Sequence, residues 1–184
     1  MQIRNVALRL LSVLALVVAG SAVTLAGLAG PDVARAAERP SWHQLTLTNA
    51  RTGEPFTLAD FAGKTVYVEP MATWCTNCRE QLGIVRDVQA KLDPDRYVFV
   101  GLSVETDLPR ETLASYADER GWPWLFAVMS PEMLQELTGT FGLTIGNPPT
   151  TPHFVIGPDG TTSALSTGIH PADDLLRDLA APAT

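Results

Sequence analysis

The chain has 184 residues, 46% of them apolar and 18% charged, and a formal net charge of −7 from 13 Lys and Arg against 20 Asp and Glu. The length suits one domain with a real core, and the composition excludes both a disordered chain and a polytopic membrane protein. The acidic balance argues against a sequence-independent grip on nucleic acid, and two cysteines cannot form a multiply bridged scaffold.

Arg4 and Arg9 give a positive start, after which no charge appears until Asp32. Residues 10–31 are dominated by Leu, Val, Ala and Gly, and Ala34-Arg35-Ala36 is a small-x-small pattern that a signal peptidase could cut. An apolar signal region runs ~7–15 residues and a membrane span ~20, so residues 1–36 read as a signal peptide or an N-terminal membrane anchor. Gly20, Gly27 and Gly30 weaken the second half of the run and favour cleavage. Either outcome exports residues 37–184, as one domain, to the oxidising, periplasmic or extracytoplasmic side.

From there the pattern alternates. Residues 45–48 alternate apolar and polar as a half-buried strand, 49–53 form a turn, and 56–58 read as the return strand of a hairpin. Residues 65–68 are β-branched and aromatic, a buried strand. Leu82, Val85, Val88 and Leu92 recur at helical spacing, predicting a helix over 75–92. Residues 97–102 are a continuous apolar strand of the kind covered on both faces. A helix over 110–120, a short strand over 124–128 and a helix over 131–141 follow. Residues 154–156, the turn 157–160 and a strand within 161–166 predict a second hairpin, and 171–181 a terminal helix. Strands alternating with helices indicate an α/β fold.

The chemistry sits in Ala72-Thr73-Trp74-Cys75-Thr76-Asn77-Cys78-Arg79, where a buried strand meets a helix. That junction puts Cys75 at a helix N-terminus, where unpaired N–H groups and the helix dipole favour the thiolate, the attacking species in disulfide exchange. Cys78 lies one turn on, within reach to resolve a mixed disulfide. A purely structural bridge over so short a loop contributes little chain entropy. A metal site at the pair needs further ligands from His43, His153 and His170, so no metal and no cofactor are expected. His43 and His170 read as hydrogen-bonded or exposed, His153 as a residue that could touch substrate, and Trp42, Trp122 and Trp124 as packing.

Residues 66–80, Val-Tyr-Val-Glu-Pro-Met-Ala-Thr-Trp-Cys-Thr-Asn-Cys-Arg-Glu, resemble the active-site segment of thioredoxin-fold proteins, in particular the TlpA/ResA-like exported thiol–disulfide oxidoreductases. The resemblance spans most of residues 45–180 and implies a central mixed β-sheet flanked by helices, with an N-terminal β-hairpin extension. It implies Cys75 as nucleophile and Cys78 as resolving thiol. It also implies a cis-proline facing the pair, Pro152 after Thr151, with Pro149 as the rival. Glu69, six residues before Cys75, falls where thioredoxin-like proteins often hold a buried acid able to take the Cys78 proton. The alternative for Glu69 is a strand end turned to solvent or paired with Lys64 or Arg79. Trp74 is expected to shield the disulfide and touch partners.

The expected function is an enzyme exchanging disulfides with protein partners, as a reductase recharged by a membrane-bound electron donor; cytochrome c maturation is one duty the resemblance implies. A copper-delivery module of the SCO type is the rival on the same fold, although its Cys-x₃-Cys spacing and distant His are not matched here. A thiol peroxidase would need a different motif.

Overall fold

A computed structural model describes residues 40–181 of the chain. The expected export segment, residues 1–36, lies outside the described residues. Among them, no helix is long and apolar enough to cross a membrane.

Strands β1 (Leu47–Thr48) and β2 (Pro55–Phe56) form a short antiparallel hairpin, with Leu47 opposite Phe56. The return strand is shorter than expected because the backbone N–H of Thr57 donates to Asp60 Oδ2 at 2.7 Å, which starts a 3₁₀ turn over Leu58–Phe61. The central sheet then follows as β3 (Thr65–Met71), β4 (Tyr97–Ser103), β5 (Leu125–Val128) and β6 (Phe154–Ile156). The strand order is β5-β4-β3-β6, with β6 antiparallel to β3 and the other pairs parallel. Helices α1 (Thr76–Gln89), α2 (Arg110–Asp118), α3 (Pro131–Phe141) and α4 (Ala172–Ala180) lie between and after the strands. The mixed sheet with flanking helices is the arrangement the resemblance implies.

β3 runs three residues beyond the apolar stretch that marks it in sequence, through Pro70. Thr65 N donates to Arg96 O and Met71 O accepts from Val104 N, so the backbone groups of the odd-numbered residues face β4. Those of Pro70 face the β6 side, where pairing has already ended at Val68–Phe154. The missing N–H of the proline therefore costs no ladder bond.

The second expected hairpin forms only in part. Residues 161–166 touch β6 through isolated bridges, His153 with Ser166 and Ile156 with Thr162. Between them Val155 N donates to Ser163 Oγ at 3.0 Å, so a side-chain oxygen replaces a carbonyl and interrupts the ladder.

Each sheet face carries its own core. Tyr67, Phe99 and Phe126 pack with Leu82 and Val85 of α1 and Leu175 and Leu179 of α4. Val68, Val100 and Leu102 pack on the other face with Met133 and Leu137 of α3 and with Trp42. Trp42, Trp122 and Trp124 are buried packing residues, as expected.

Candidate active site

At the end of β3 the chain turns through Ala72–Trp74 and enters α1. Cys75 N donates to Ala72 O at 3.1 Å, and Cys75 takes the N-cap position of α1. Its Sγ accepts from the backbone N–H of Cys78 at 3.1 Å. One of the helix's unpaired donors is thus aimed at the sulfur, which stabilises negative charge there once the pair is reduced. Cys75 and Cys78 are joined as a disulfide with Cα atoms 5.4 Å apart.

The two sulfurs have different surroundings. Cys75 lies on the floor of a shallow depression of about 280 Å³ lined also by Trp74, Thr76, Asn77 and Pro149. Trp74 stands on its rim, 60% exposed, whereas Trp42, Trp122 and Trp124 are buried. Cys78 is fully buried, its Sγ 3.3 Å from the Pro148 carbonyl oxygen, an acceptor ready for the thiol proton after reduction.

Three contacts hold this mouth together that sequence reasoning did not find. Asn77 Nδ2 donates to Pro149 O at 2.8 Å, tying the dipeptide between the cysteines to the loop opposite. Thr73 donates to the Glu105 carboxylate twice, from its backbone N at 2.6 Å and its Oγ1 at 3.1 Å. Each joins residues distant in sequence, so no local spacing announces it.

Thr151 and Pro152 are buried and contribute nothing to the lining of the depression; Pro149 does. Thr151 has left-handed backbone angles (φ 45°, ψ 56°), donates its N–H to Pro148 O and turns its carbonyl to His153 Nδ1 at 3.0 Å. His153 is buried, with its ring against Tyr67 and His170.

Glu69 is fully buried, not turned to solvent, and pairs with neither Lys64 nor Arg79. It lies on β3 between Tyr67 and Met71, on the face that packs with Cys78 and Leu82 of α1. The Tyr67 hydroxyl donates to Glu69 Oε2 at 2.9 Å, and Oε1 has no hydrogen-bond partner among the described residues. Loss of hydration pushes its carboxyl up to about 8, against a small lowering by the Tyr67 bond. Its register partner on β4 is Gly101, where a Cβ would meet the Phe126 ring at 2.4 Å, so only glycine lets that ring lie across the strand.

A strand–Cys-x-x-Cys–helix junction on a mixed sheet defines a thiol–disulfide oxidoreductase of the thioredoxin type. The sequence matches the Redoxin family over residues 26–177, and the chain belongs to that family. It is similar to a thioredoxin-family thiol:disulfide interchange protein from Chlorobium tepidum, with 25% identity over 74% of this chain and 90% of that one and a TM-score of 0.61. A secreted Mycobacterium tuberculosis disulfide oxidoreductase homologous to E. coli DsbE shares the fold at 19% identity, covering 76% and 96% of the two chains with a TM-score of 0.57. So does M. tuberculosis DsbF, at 18% identity, 77% and 97% coverage and a TM-score of 0.60.

Proposed function

We propose that the protein is exported by residues 1–36, as a cleaved or an anchored form, and works as a reductase of protein disulfides. The observation that carries the chemistry is the asymmetry of the pair: both cysteines are buried, but Cys75 Sγ caps a helix and Cys75 lines the open depression, while Cys78 does not reach it.

In the reduced protein the Cys75 thiolate attacks one sulfur of a partner disulfide. A mixed disulfide forms and the partner's other sulfur leaves as a thiolate, which takes a proton from water. Cys78 then loses its proton, attacks Cys75 Sγ, and expels the first partner sulfur as a thiolate; the partner ends reduced by two electrons and this protein oxidised. Glu69 in its ionised form, the minority below about pH 8, is the base for the Cys78 proton: burial brings its affinity for a proton close to that of a thiol, where transfer is efficient. Trp74 and Pro149 supply the apolar contact for an extended partner, while Thr151 and Pro152 hold the loop that carries Pro149. A membrane-bound dithiol donor returns the electrons; apocytochrome c is one partner consistent with this chemistry.

Trapping tests the reading. Cys78→Ser expressed with its export segment should carry a partner covalently attached to Cys75, released by dithiothreitol, and the unaltered protein should reduce insulin. Absence of any adduct together with failure to reduce insulin would overturn it.

A further inference from the structure

We propose that His153, His170 and Asp178 form a binding site for one zinc-class divalent metal ion, separate from the cysteine pair and independent of the reading above. Ligand atoms of the three residues lie within 4.8 Å of one another. The His170 ring stands edge-on to that of His153 with centroids 4.4 Å apart, and His170 Nδ1 lies 2.9 Å from Asp178 Oδ2. Two imidazoles and one carboxylate are a donor set suited to zinc and its neighbours, with water completing a tetrahedron.

His153 carries the argument. Its Nδ1 is 3.0 Å from the Thr151 carbonyl, which can only accept, so Nδ1 bears the proton and Nε2 presents a lone pair. That Nε2 is buried and has no hydrogen-bond partner among the described residues. A buried acceptor left unpaired is destabilising, and the His170–Asp178 pair does nothing to relieve it. A ring N–H given to a backbone carbonyl with the other nitrogen free is also the arrangement that orients metal-binding imidazoles.

The remaining two ligands can close on this fixed one. Zinc bonds of about 2 Å place tetrahedral donors ~3.4 Å apart, so the wider separations must close by up to ~1.4 Å while the His170–Asp178 pair opens slightly. His170 and Asp178 are partly exposed, with side chains 23% and 39% accessible, and can make that movement. His170 N is itself held by Gln81 Oε1 of α1 at 2.7 Å. A bound ion would therefore join the loop of Thr151 and Pro152 to α4 and to the residue one turn beyond Cys78.

The test uses the exported protein without an affinity tag, in its disulfide form so that the thiols cannot bind. Titration calorimetry with zinc chloride should show one equivalent bound at micromolar affinity or tighter, and nitrogen-15 spectra should show the His153 Nε2 resonance shifted by the metal. His170→Ala and Asp178→Asn, both at partly exposed positions, should each weaken binding at least tenfold while leaving the metal-free circular dichroism spectrum unchanged. No saturable uptake by the oxidised protein, or undiminished uptake by both variants, overturns the proposal.

Discussion

Glu69 shows how one buried side chain ties stability to chemistry. Folding raises its proton affinity, from an ordinary value of 4.5 to about 8, because the folded strand removes its water and returns one hydrogen bond. The stabilisation linked to this proton is fully present below about 4.5 and is lost as pH rises through 8. Over that span it amounts to ~5 kcal/mol. Glu69→Gln keeps an acceptor for Tyr67 and removes the titration, so the stability of the variant relative to the unaltered protein should rise between pH 5 and pH 8.5. Urea unfolding at both pH values checks this; an unchanged difference would place the carboxyl in water. The same variant should slow resolution of a preformed mixed disulfide by ~10²-fold, read by stopped flow, while the alkylation rate of Cys75 stays near its original value. At this scale the cysteine pair was legible from its spacing at i and i+3, while the carboxyl six residues before it was singled out only by the family resemblance. The residues alone left Glu69 open between burial and solvent, and its place on the α1-facing side of a central strand, bonded to Tyr67, decides it. Glu105, Asn77 and Pro148 were illegible, since each acts through a partner on another segment.

Among the elements, the segment between β3 and α1 does the positioning, and its geometry is borrowed from the end of β4. Glu105 accepts from Thr73 N and Oγ1, and its own N–H donates to Ser103 Oγ at 3.2 Å. Charge-assisted bonds of this kind contribute ~1.5–3 kcal/mol, so Glu105→Ala should lower the urea midpoint by a corresponding amount and, by loosening the turn before Trp74, slow insulin reduction several-fold. A shift below about 0.5 kcal/mol would show that water replaces the carboxylate at no cost. Ser163 is the matching device at the other edge of the sheet. Its hydroxyl accepts from Val155 N, so Ser163→Ala should cost ~1 kcal/mol. Helix positions followed from period and caps: Pro131–Phe141 begins where Ser130 Oγ accepts from Met133 N. The strand through Pro70 and the broken ladder at Ser163 did not follow, because each depends on what the neighbouring strand offers at that rung.

For the whole molecule, redox direction and folding are one thermodynamic cycle. Reducing the folded protein, unfolding it and reoxidising the chain returns to the unfolded disulfide, so the stability gap between the two folded forms equals the gap between the folded and unfolded disulfide potentials. A reductase must hold its disulfide more tightly than an unfolded chain does, which means that its oxidised form is the more stable. The short loop adds little entropy, so that gap must come from the site itself. In the oxidised form Cys78 is sealed without charge. Reduction adds a thiolate at Cys75, welcomed by the Cys78 N–H, and a second thiol that must share the Pro148 carbonyl and lie beside the face bearing Glu69. The reductase reading requires the second effect to win. The oxidised protein should then unfold at a higher guanidinium midpoint than the dithiol form at pH 7, and each 1.4 kcal/mol of difference should appear as about 30 mV of potential below that of the unfolded pair. If the dithiol form proves the more stable, electrons run the other way: the protein donates disulfides, and the same Cys75 attack serves oxidation of its partners.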